Sequence, residues 1–287
     1  MELRLDRLAT LYLVSPLMRL ASRQRASIPI LMYHGIVDED DSGKHPYYRT
    51  TTSPSSFTAQ MEHLHRSGYK TSSLTDGIAL LKAKGASSTR DVIITFDDGY
   101  RNFYQKAFPL LERFDFTATV FLPTAYIGES RLQFKGQDCL TWSEIRELQK
   151  CGVLFGSHTV THPQLSGLSK DAIEKEVVDS KIAIEDKTGR QVDSFAYPYA
   201  FPQADFEFRK MLRDTLVSAG YRNGVCTIVG SAAYGSDPFF MERLPANSHD
   251  DEELLQAKLA GAYDWISVPQ SILKATKTCA KRICGRP

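Results

Sequence analysis

Short apolar runs alternate with longer amphipathic segments along this chain of 287 residues. Seven of the short runs are rich in β-branched and aromatic residues, which is typical of strands, whereas the segments between them have helical spacing. This alternation predicts an α/β fold in which helices join parallel strands. The predicted strands are 28–33, 92–96, 117–122, 153–155, 194–197, 224–228 and 239–244.

Several helix ends can be read from capping residues. Ser53 before Pro54 predicts a helix start, because serine caps a helix and proline is favoured at its first position. Thr141 and Glu144 form a capping-box pattern at the start of another helix. The predicted helices are 55–66, 142–150, 169–187 and 205–219, and glycine closes the last two.

The chain shows no Gly/Ser-rich linker or composition break, which favours one large barrel over two domains. We expect an N-terminal helical extension at 1–27, a barrel at 28–266 and a basic C-terminal tail at 267–287. The irregular stretches 38–52 and 128–140 have the length of functional loops on such a barrel.

The charge balance is nearly neutral, with 35 Lys and Arg against 34 Asp and Glu. Proteins that bind nucleic acid usually carry a basic excess, so no nucleic-acid partner is expected. The five cysteines form neither a CxxC pair nor a Cys/His finger, which argues against a disulfide framework and a structural zinc site. We therefore expect a reducing, cytoplasmic location.

Each end of the chain has two open interpretations. The apolar stretch 8–18 is too short to span a bilayer, and Glu2 and Asp6 oppose its assignment as a signal peptide. A helix there either packs on the body of the protein or makes a peripheral membrane contact. The C-terminal tail is either solvated or in contact with a membrane surface, since it carries five bases and no acid: Lys274, Lys277, Lys281, Arg282 and Arg286.

The first candidate for chemistry is Asp97-Asp98-Gly99, which follows the apolar strand 92–96. Two adjacent carboxylates at the end of a buried strand repel each other unless they bind a cation or share a catalytic task. The alternative is that one caps the next helix and the other is solvated. In a barrel, the carboxyl ends of the strands are where active sites are built.

The second candidate is a pair of histidines, His158 and His162, just after the predicted strand 153–155. The intervening Thr-Val-Thr is a poor helix interior and Pro163 stops the segment, so a loop is expected. Two imidazoles and one carboxylate make a three-ligand set suited to a divalent metal with open positions. The pair of histidines beside Asp-Asp-Gly therefore predicts a metal site.

The third candidate is Phe195-Ala196-Tyr197-Pro198-Tyr199 at the end of the fifth strand. Pro198 ends the strand, so backbone amides of the following turn can face a cavity. The aromatic rings of Tyr197, Tyr199 and Trp142 suit stacking on a sugar ring.

Together these three motifs resemble those of the polysaccharide deacetylases, carbohydrate esterase family four, whose fold is the NodB homology domain. They occur in the same order, each at a strand end, and the resemblance covers roughly residues 28–245. It implies a distorted (β/α)7 barrel, in agreement with the seven strands predicted above. It also implies removal of an acetyl group from an N-acetylated glycan, with a divalent metal, commonly Zn2+, as cofactor.

The resemblance also implies a role for each motif residue. Asp98, His158 and His162 would hold the metal, and Asp97 would be the general base. Tyr199 would stabilise the oxyanion through its backbone amide.

Two features depart from the family pattern. The third motif of the family often carries an arginine that orients the catalytic aspartate, and Ala196 stands at that position here. Either another cation such as Arg243 supplies this function or the base is tuned differently. The late Leu-x-x-His motif that provides the general acid is also not evident, and His249 is the histidine nearest to its place in the chain.

A different histidine is a better candidate for the general acid. The segment 30–35, which contains His34, resembles the opening of poly-N-acetylglucosamine deacetylases, in which an N-terminal histidine replaces the late one. By that resemblance His34 would protonate the leaving amine, a role that suits an imidazole near neutral pH. The alternative is a histidine that ends the first strand without touching substrate.

The leading hypothesis is therefore a metal-dependent deacetylase of N-acetylhexosamine units in a polysaccharide or lipid-linked glycan. Two alternatives stay open at this point. One is a carbohydrate-binding barrel that has lost turnover, which the alanine at position 196 makes conceivable. The other is a hydrolase of a non-sugar amide.

Overall fold

The computed structural model describes residues 4–20, 26–38, 49–84 and 90–272. Within these residues, seven parallel strands form a closed barrel, which confirms the predicted fold class. Pairing of the first barrel strand with the second closes the sheet, and Lys70–Thr71 adds a short strand beside the second. The barrel strands are β1 Ile30–Tyr33, β2 Asp91–Phe96, β3 Thr119–Leu122, β4 Leu154–Ser157, β5 Ser194–Ala196, β6 Asn223–Val229 and β7 Met241–Pro245.

The observed strands differ from the predicted ones by two residues at four ends: the first, third and seventh begin later, and the fourth ends later. The first begins at Ile30 because Pro29 has no N–H to donate, and Ser27–Ile28 pairs separately with Ala232–Ala233. The fourth strand continues through Gly156 to Ser157. A Cβ at Gly156 would lie 2.5 Å from the Phe121 ring, so this glycine permits a close approach inside the sheet and does not end the strand.

Helices surround the barrel, and their ends follow the predicted caps. Ser53 Oγ accepts from Ser56 N, and Thr141 and Glu144 form the reciprocal capping box. The helices are α1 Pro54–Arg66, α2 Leu74–Lys84, α3 Phe108–Arg113, α4 Trp142–Lys150, α5 Lys170–Thr188, α6 Phe206–Ser218 and α7 Glu252–Leu259. An N-terminal helical segment precedes them as Leu5–Ala9, a π-helical turn Thr10–Val14 and Ser15–Leu20.

Alternate residues of the strands pack on opposite sides of the barrel wall. Ile30, Ile93, Phe121 and Val225 belong to an interior cluster, against which Leu74 of α2 packs. Their neighbours along the strands belong to the larger core between barrel and helices. The barrel interior is therefore filled with apolar side chains, and the carboxyl ends of the strands are left for polar groups.

Some expectations lie outside the described residues. These include the five basic residues of the tail and positions 39–48 of the first long loop. The division into extension, barrel and tail stays a prediction. Among the described cysteines, Cys139 and Cys151 are free, and the Cys226 thiol donates to the carbonyl of Phe240 at 3.4 Å.

Candidate active site

The candidate residues lie together at the carboxyl ends of the barrel strands. Asp97 and Asp98 follow β2, His34 follows β1, and His158 follows β4. The amide of Asp97 donates to the carbonyl of Tyr33 at 2.9 Å, which sets the ends of β1 and β2 side by side. Barrel closure thus brings motifs together that are far apart in the chain.

The backbone around this site is strained. Among the described residues, five of the six non-glycine residues with positive φ lie here: Asp98, Lys135, Thr159, His162 and Tyr199. Such a conformation costs on the order of 1 kcal/mol per residue and persists only where surrounding contacts impose it. Four of the five lie in the loops that follow β2, β4 and β5.

Asp98, His158 and His162 form the group expected to bind a metal. All three are buried, and their ligand atoms lie within 4.8 Å of one another. Asp98 Oδ1 is 3.2 Å from His162 Nε2 and 3.6 Å from His158 Nε2. The Nδ1 atom of His158 donates to the carbonyl of Ala196 at 2.8 Å, which leaves Nε2 with its lone pair toward the carboxylate.

Two observations test whether a divalent metal fits this group. The buried atom Asp98 Oδ1, which faces Nε2 of both histidines, has no hydrogen-bond partner, and unpartnered buried polar atoms are rare. Two imidazole nitrogens and a carboxylate are the donor set that such metals prefer. The residues fit the group.

Asp97 is held by a buried arginine. Arg243 on β7 donates from Nη1 to Asp97 Oδ1 and from Nη2 to Oδ2, each at 2.7 Å. Arg243 also donates from Nε to the carbonyl of Cys226 at 3.1 Å, which orients the guanidinium. Burial raises the pKa of Asp97, but the Arg243 charge and hydrogen bonds outweigh it and lower the pKa to about 2. The carboxylate is therefore ionised and fixed in position.

This contact accounts for the departure at Ala196. Ala196 is fully buried and packs with Phe121 inside the barrel, and the guanidinium of Arg243 lies 5.9 Å from the same ring. The arginine that contacts the aspartate thus comes from β7 instead of β5. Of the two explanations that the sequence left open, the geometry agrees with the first.

The two candidate acids occupy different surroundings. His34 Nε2 lies 3.8 Å from Asp97 Oδ2, at the same opening as the metal-binding group. Burial lowers the pKa of His34, and the charges of Asp97 and Asp98 oppose that shift. The Nε2 atom of His249 contacts Nη1 of Arg49 at 2.6 Å.

Of the aromatic residues expected to stack on a sugar, the structure exposes one. Tyr197 and Trp142 are buried in the core, so the expectation that they line a groove is wrong. Tyr199 is half-exposed, and its ring lies 4.6 Å from that of His162. Within the described residues the Tyr199 amide donates no hydrogen bond, while its carbonyl accepts from Thr227 at 2.8 Å.

A hairpin that the sequence pattern did not predict reaches over the site. Residues 128–140 were expected to be irregular, yet Gln133–Phe134 pairs with Gln137–Asp138. Both turn residues, Lys135 and Gly136, have positive φ, which a two-residue hairpin of this hand requires. The ammonium of Lys135 lies 3.4 Å from Asp98 Oδ2. A Lys-Gly pair between Phe134 and Gln137 was too weak a turn signal to predict this.

Glu176 of α5 was also missed. Its carboxylate accepts from the amides of Val160 and Thr161 at 2.7 and 2.9 Å, and from the Thr161 hydroxyl at 2.6 Å. It therefore holds the loop that carries His158 and His162. A lone glutamate on a helix surface gives no sequence signal for such a contact.

Comparison with known proteins identifies the family. A family model described as "Polysaccharide deacetylase" matches residues 84–223. The provisionally named polysaccharide deacetylase YxkH of Bacillus subtilis is 30% identical over 222 residues, which cover 76% of this chain and 71% of the relative. The poly-β-1,6-N-acetyl-D-glucosamine N-deacetylase of Staphylococcus aureus (strain MSSA476) is 26% identical over 217 residues, covering 72% and 71%.

Solved structures show the same fold. The deacetylase PplD of Streptococcus pyogenes, solved in complex with acetate, aligns with a TM-score of 0.71 at 24% identity and covers 82% of this chain and 99% of its own. IcaB from Ammonifex degensii aligns with a TM-score of 0.66 at 21% identity, covering 83% and 98%. On the matched relatives and the shared barrel, this chain belongs to the polysaccharide deacetylase family.

Proposed function

We propose that this protein is a metal-dependent deacetylase that hydrolyses the N-acetyl group of N-acetylhexosamine units in a polysaccharide or lipid-linked glycan. The observation that carries the proposal is the position of Asp97, paired with Arg243, beside Asp98, His158 and His162. A site that only binds sugar has no need of an oriented carboxylate next to a complete ligand set. The family membership supports the same reaction class.

The proposed reaction is amide hydrolysis with acetate and a free amine as products. Asp98, His158 and His162 would hold a divalent metal, proposed to be Zn2+, which would supply Lewis acidity to polarise the acetyl carbonyl and acidify water. Asp97 accepts the proton of the attacking water, whose oxygen bonds to the carbonyl carbon. The Tyr199 amide donates to the oxyanion that forms.

The second half of the reaction breaks the C–N bond. His34 donates a proton to the amine nitrogen as that bond breaks, so the sugar leaves as a neutral amine. The distance of 3.8 Å between His34 Nε2 and Asp97 Oδ2 supports this pairing of proton donor and proton acceptor.

The substrate class rests on the relatives and on one exposed ring. The Staphylococcus aureus relative is named for poly-β-1,6-N-acetyl-D-glucosamine. Tyr199 offers a half-exposed ring at the edge of the site, against which a hexosamine can stack. A soluble oligomer of β-1,6-linked N-acetylglucosamine is therefore the first substrate to test.

Acetate release from this oligomer, measured before and after removal of metal by a chelator, tests the proposal. We expect release that chelation abolishes and Zn2+ restores, and that Asp98→Asn abolishes. The matched control is Asp179→Asn on the exposed surface of α5, which should retain wild-type release. Release that survives chelation would contradict the metal mechanism. Sugar binding without release from any acetylated glycan would favour a binding protein, and release only from non-sugar amides would overturn the substrate class.

A further inference from the structure

The N-terminal helical segment carries an apolar face that points to solvent. The apolar positions follow two adjacent ladders, 5-8-12 and 13-17-20, with helical spacing of three or four residues, so they share one side. A single exposed leucine is ordinary, but a continuous apolar stripe marks an interaction surface. The relative exposure of each residue lies between 38% and 81% in this set, the N-terminal apolar face: Leu5, Leu8, Tyr12, Leu13, Leu17 and Leu20.

The opposite side of this segment contacts the barrel through polar groups. Asp6 Oδ2 accepts from the Tyr263 hydroxyl at 2.6 Å, and Trp265 Nε1 donates to Thr10 Oγ1 at 3.0 Å. A surface helix normally buries its apolar stripe and exposes its polar one. Here Leu11, Val14 and Met18 are partly buried, whereas the N-terminal apolar face stays exposed and is covered by no part of the described chain.

The distribution of charge indicates what that partner is. Residues 1–27 and 267–287 carry ten Lys and Arg against two acids, whereas the remaining 239 residues carry 25 against 32. The net charge of +1 thus conceals a strong basic excess at the two ends of the chain. A second copy docked face to face would bring two basic stretches together, whereas an anionic surface would attract them.

We propose that the N-terminal apolar face binds an anionic lipid bilayer, with its leucines and Tyr12 at the boundary of headgroups and acyl chains. An apolar stripe flanked by basic residues is the combination that holds a helix in the plane of such a surface, and each basic residue near it strengthens the attraction. In the described part of the chain, no helix has the length and apolar character needed to cross a membrane.

Flotation of the full-length protein with vesicles tests this proposal. The vesicles are phosphatidylcholine alone, or phosphatidylcholine and phosphatidylglycerol at about three to one, each at low and high salt. We expect binding to the anionic vesicles that falls at high salt. The double variant Leu13→Glu/Leu17→Glu should bind at least about tenfold less, because two charges replace apolar contacts in the bilayer boundary.

The matched control is Ile182→Glu/Val217→Glu, which places the same charges at exposed apolar positions of α5 and α6. It should bind vesicles like the wild type, and thermal melts should show that both variants are folded. No binding of the wild type to anionic vesicles, or equal loss in the control, would overturn the proposal. A wild-type dimer that Leu13→Glu/Leu17→Glu converts to a monomer, without vesicle binding, would assign the face to a second copy.

Discussion

Arg243 shows how much one side chain can determine at this site. It is among the largest fully buried side chains, and its guanidinium makes four hydrogen bonds, two of them to Asp97. A buried charge is tolerated only when it is paired, and a charge-assisted bidentate contact is the strongest such pairing. Asp97 is accordingly ionised and immobile, as a positioned general base must be.

Replacement of Arg243 by Met should therefore affect both stability and pH dependence. It leaves the buried Asp97 without its bidentate partner, which should cost about 3 to 5 kcal/mol of unfolding free energy. Loss of the cation should also raise the pKa of Asp97 from about 2, so activity should be lost at a higher pH on the acid side. The measurements are chemical denaturation and the pH profile of kcat/KM.

Two further variants separate orientation from stability. Arg243→Lys keeps the charge but loses the bidentate contact, so it should retain folding and lose about 100-fold in kcat. Adding Ala196→Arg to Arg243→Met restores a guanidinium from the position at which the family often has one, and should recover part of the activity. If the pH profile of kcat/KM on the acid side is unchanged in Arg243→Met, the arginine does not lower the pKa of Asp97.

The two histidine candidates give a second prediction at this scale. His34→Ala should lower kcat by at least about 100-fold, because no other donor would protonate the leaving amine. His249→Ala should change kcat by less than about threefold, since its ring contacts Arg49. Steady-state kinetics on the same oligomer decides between them, and loss of turnover in His249→Ala alone would show that the assignment of His34 is wrong.

At the scale of elements, helices on the outside of the barrel shape the loops at its end. The loop after β4 places Thr159 and His162 in left-handed backbone conformations, and Glu176 of α5 accepts three hydrogen bonds from its middle. The contact with α5 therefore stabilises the strained backbone conformation of this loop.

Glu176→Gln should weaken metal binding without unfolding the protein. An amide replaces the carboxylate and weakens the charge-assisted bonds, so the Kd for Zn2+ should rise by about 10-fold or more, as for other groups that orient metal ligands. The control is Glu174→Gln, an exposed position on the same helix. Zinc titration by calorimetry measures both, and equal Kd values would contradict a role for Glu176 in positioning the loop.

The start of α4 gives a prediction about pH. Burial raises the pKa of Glu144, but hydrogen bonds from Arg131, the Thr141 amide and Arg101 outweigh it and lower the pKa to about 2. A lowered pKa means that this stabilisation is present above the unfolded value and is lost as the pH falls from about 4.5 through 2. Its size is on the order of 2 kcal/mol.

Chemical denaturation between pH 6 and pH 2 measures this effect. Glu144→Gln should be less stable than the wild type at pH 6 and should approach it near pH 2. Glu112→Gln, an exposed glutamate on α3, serves as the control and should follow the wild-type curve. A difference between Glu144→Gln and the wild type that does not change with pH would contradict the linkage.

At the scale of the whole molecule, closure of the barrel couples metal binding to folding. The three candidate ligands follow β2 and β4, which are separated by β3 in the sheet. An unfolded chain has no such site, so a metal that binds it stabilises the folded state by mass action.

Zinc should therefore raise the unfolding free energy by about 2.7 kcal/mol at a free concentration 100 times its Kd. Thermal unfolding with and without Zn2+ measures the shift in Tm. Asp98→Asn should remove most of this shift, while Asp179→Asn should keep it. An equal shift in both variants would place the bound zinc elsewhere.

Local features of the sequence predicted much of this protein. Short-range periodicity predicted the seven strands and the place of each motif at a strand end. Residues that act within one turn predicted the helix caps at Ser53 and Thr141. Because the carboxyl ends of parallel strands meet at one end of a barrel, the sequence also predicted that Asp98, His158 and His162 lie close together.

Only the tertiary structure decided which side chains meet across the barrel and which face solvent. Arg243 reaches Asp97 across 146 positions of the chain, and the Lys135 turn reaches Asp98 from a separate loop. Tyr197 is a residue type that often binds sugars, but its ring packs against Phe201 in the core. These outcomes depend on barrel closure and helix packing, which combine many distant contacts that no local pattern in the sequence records.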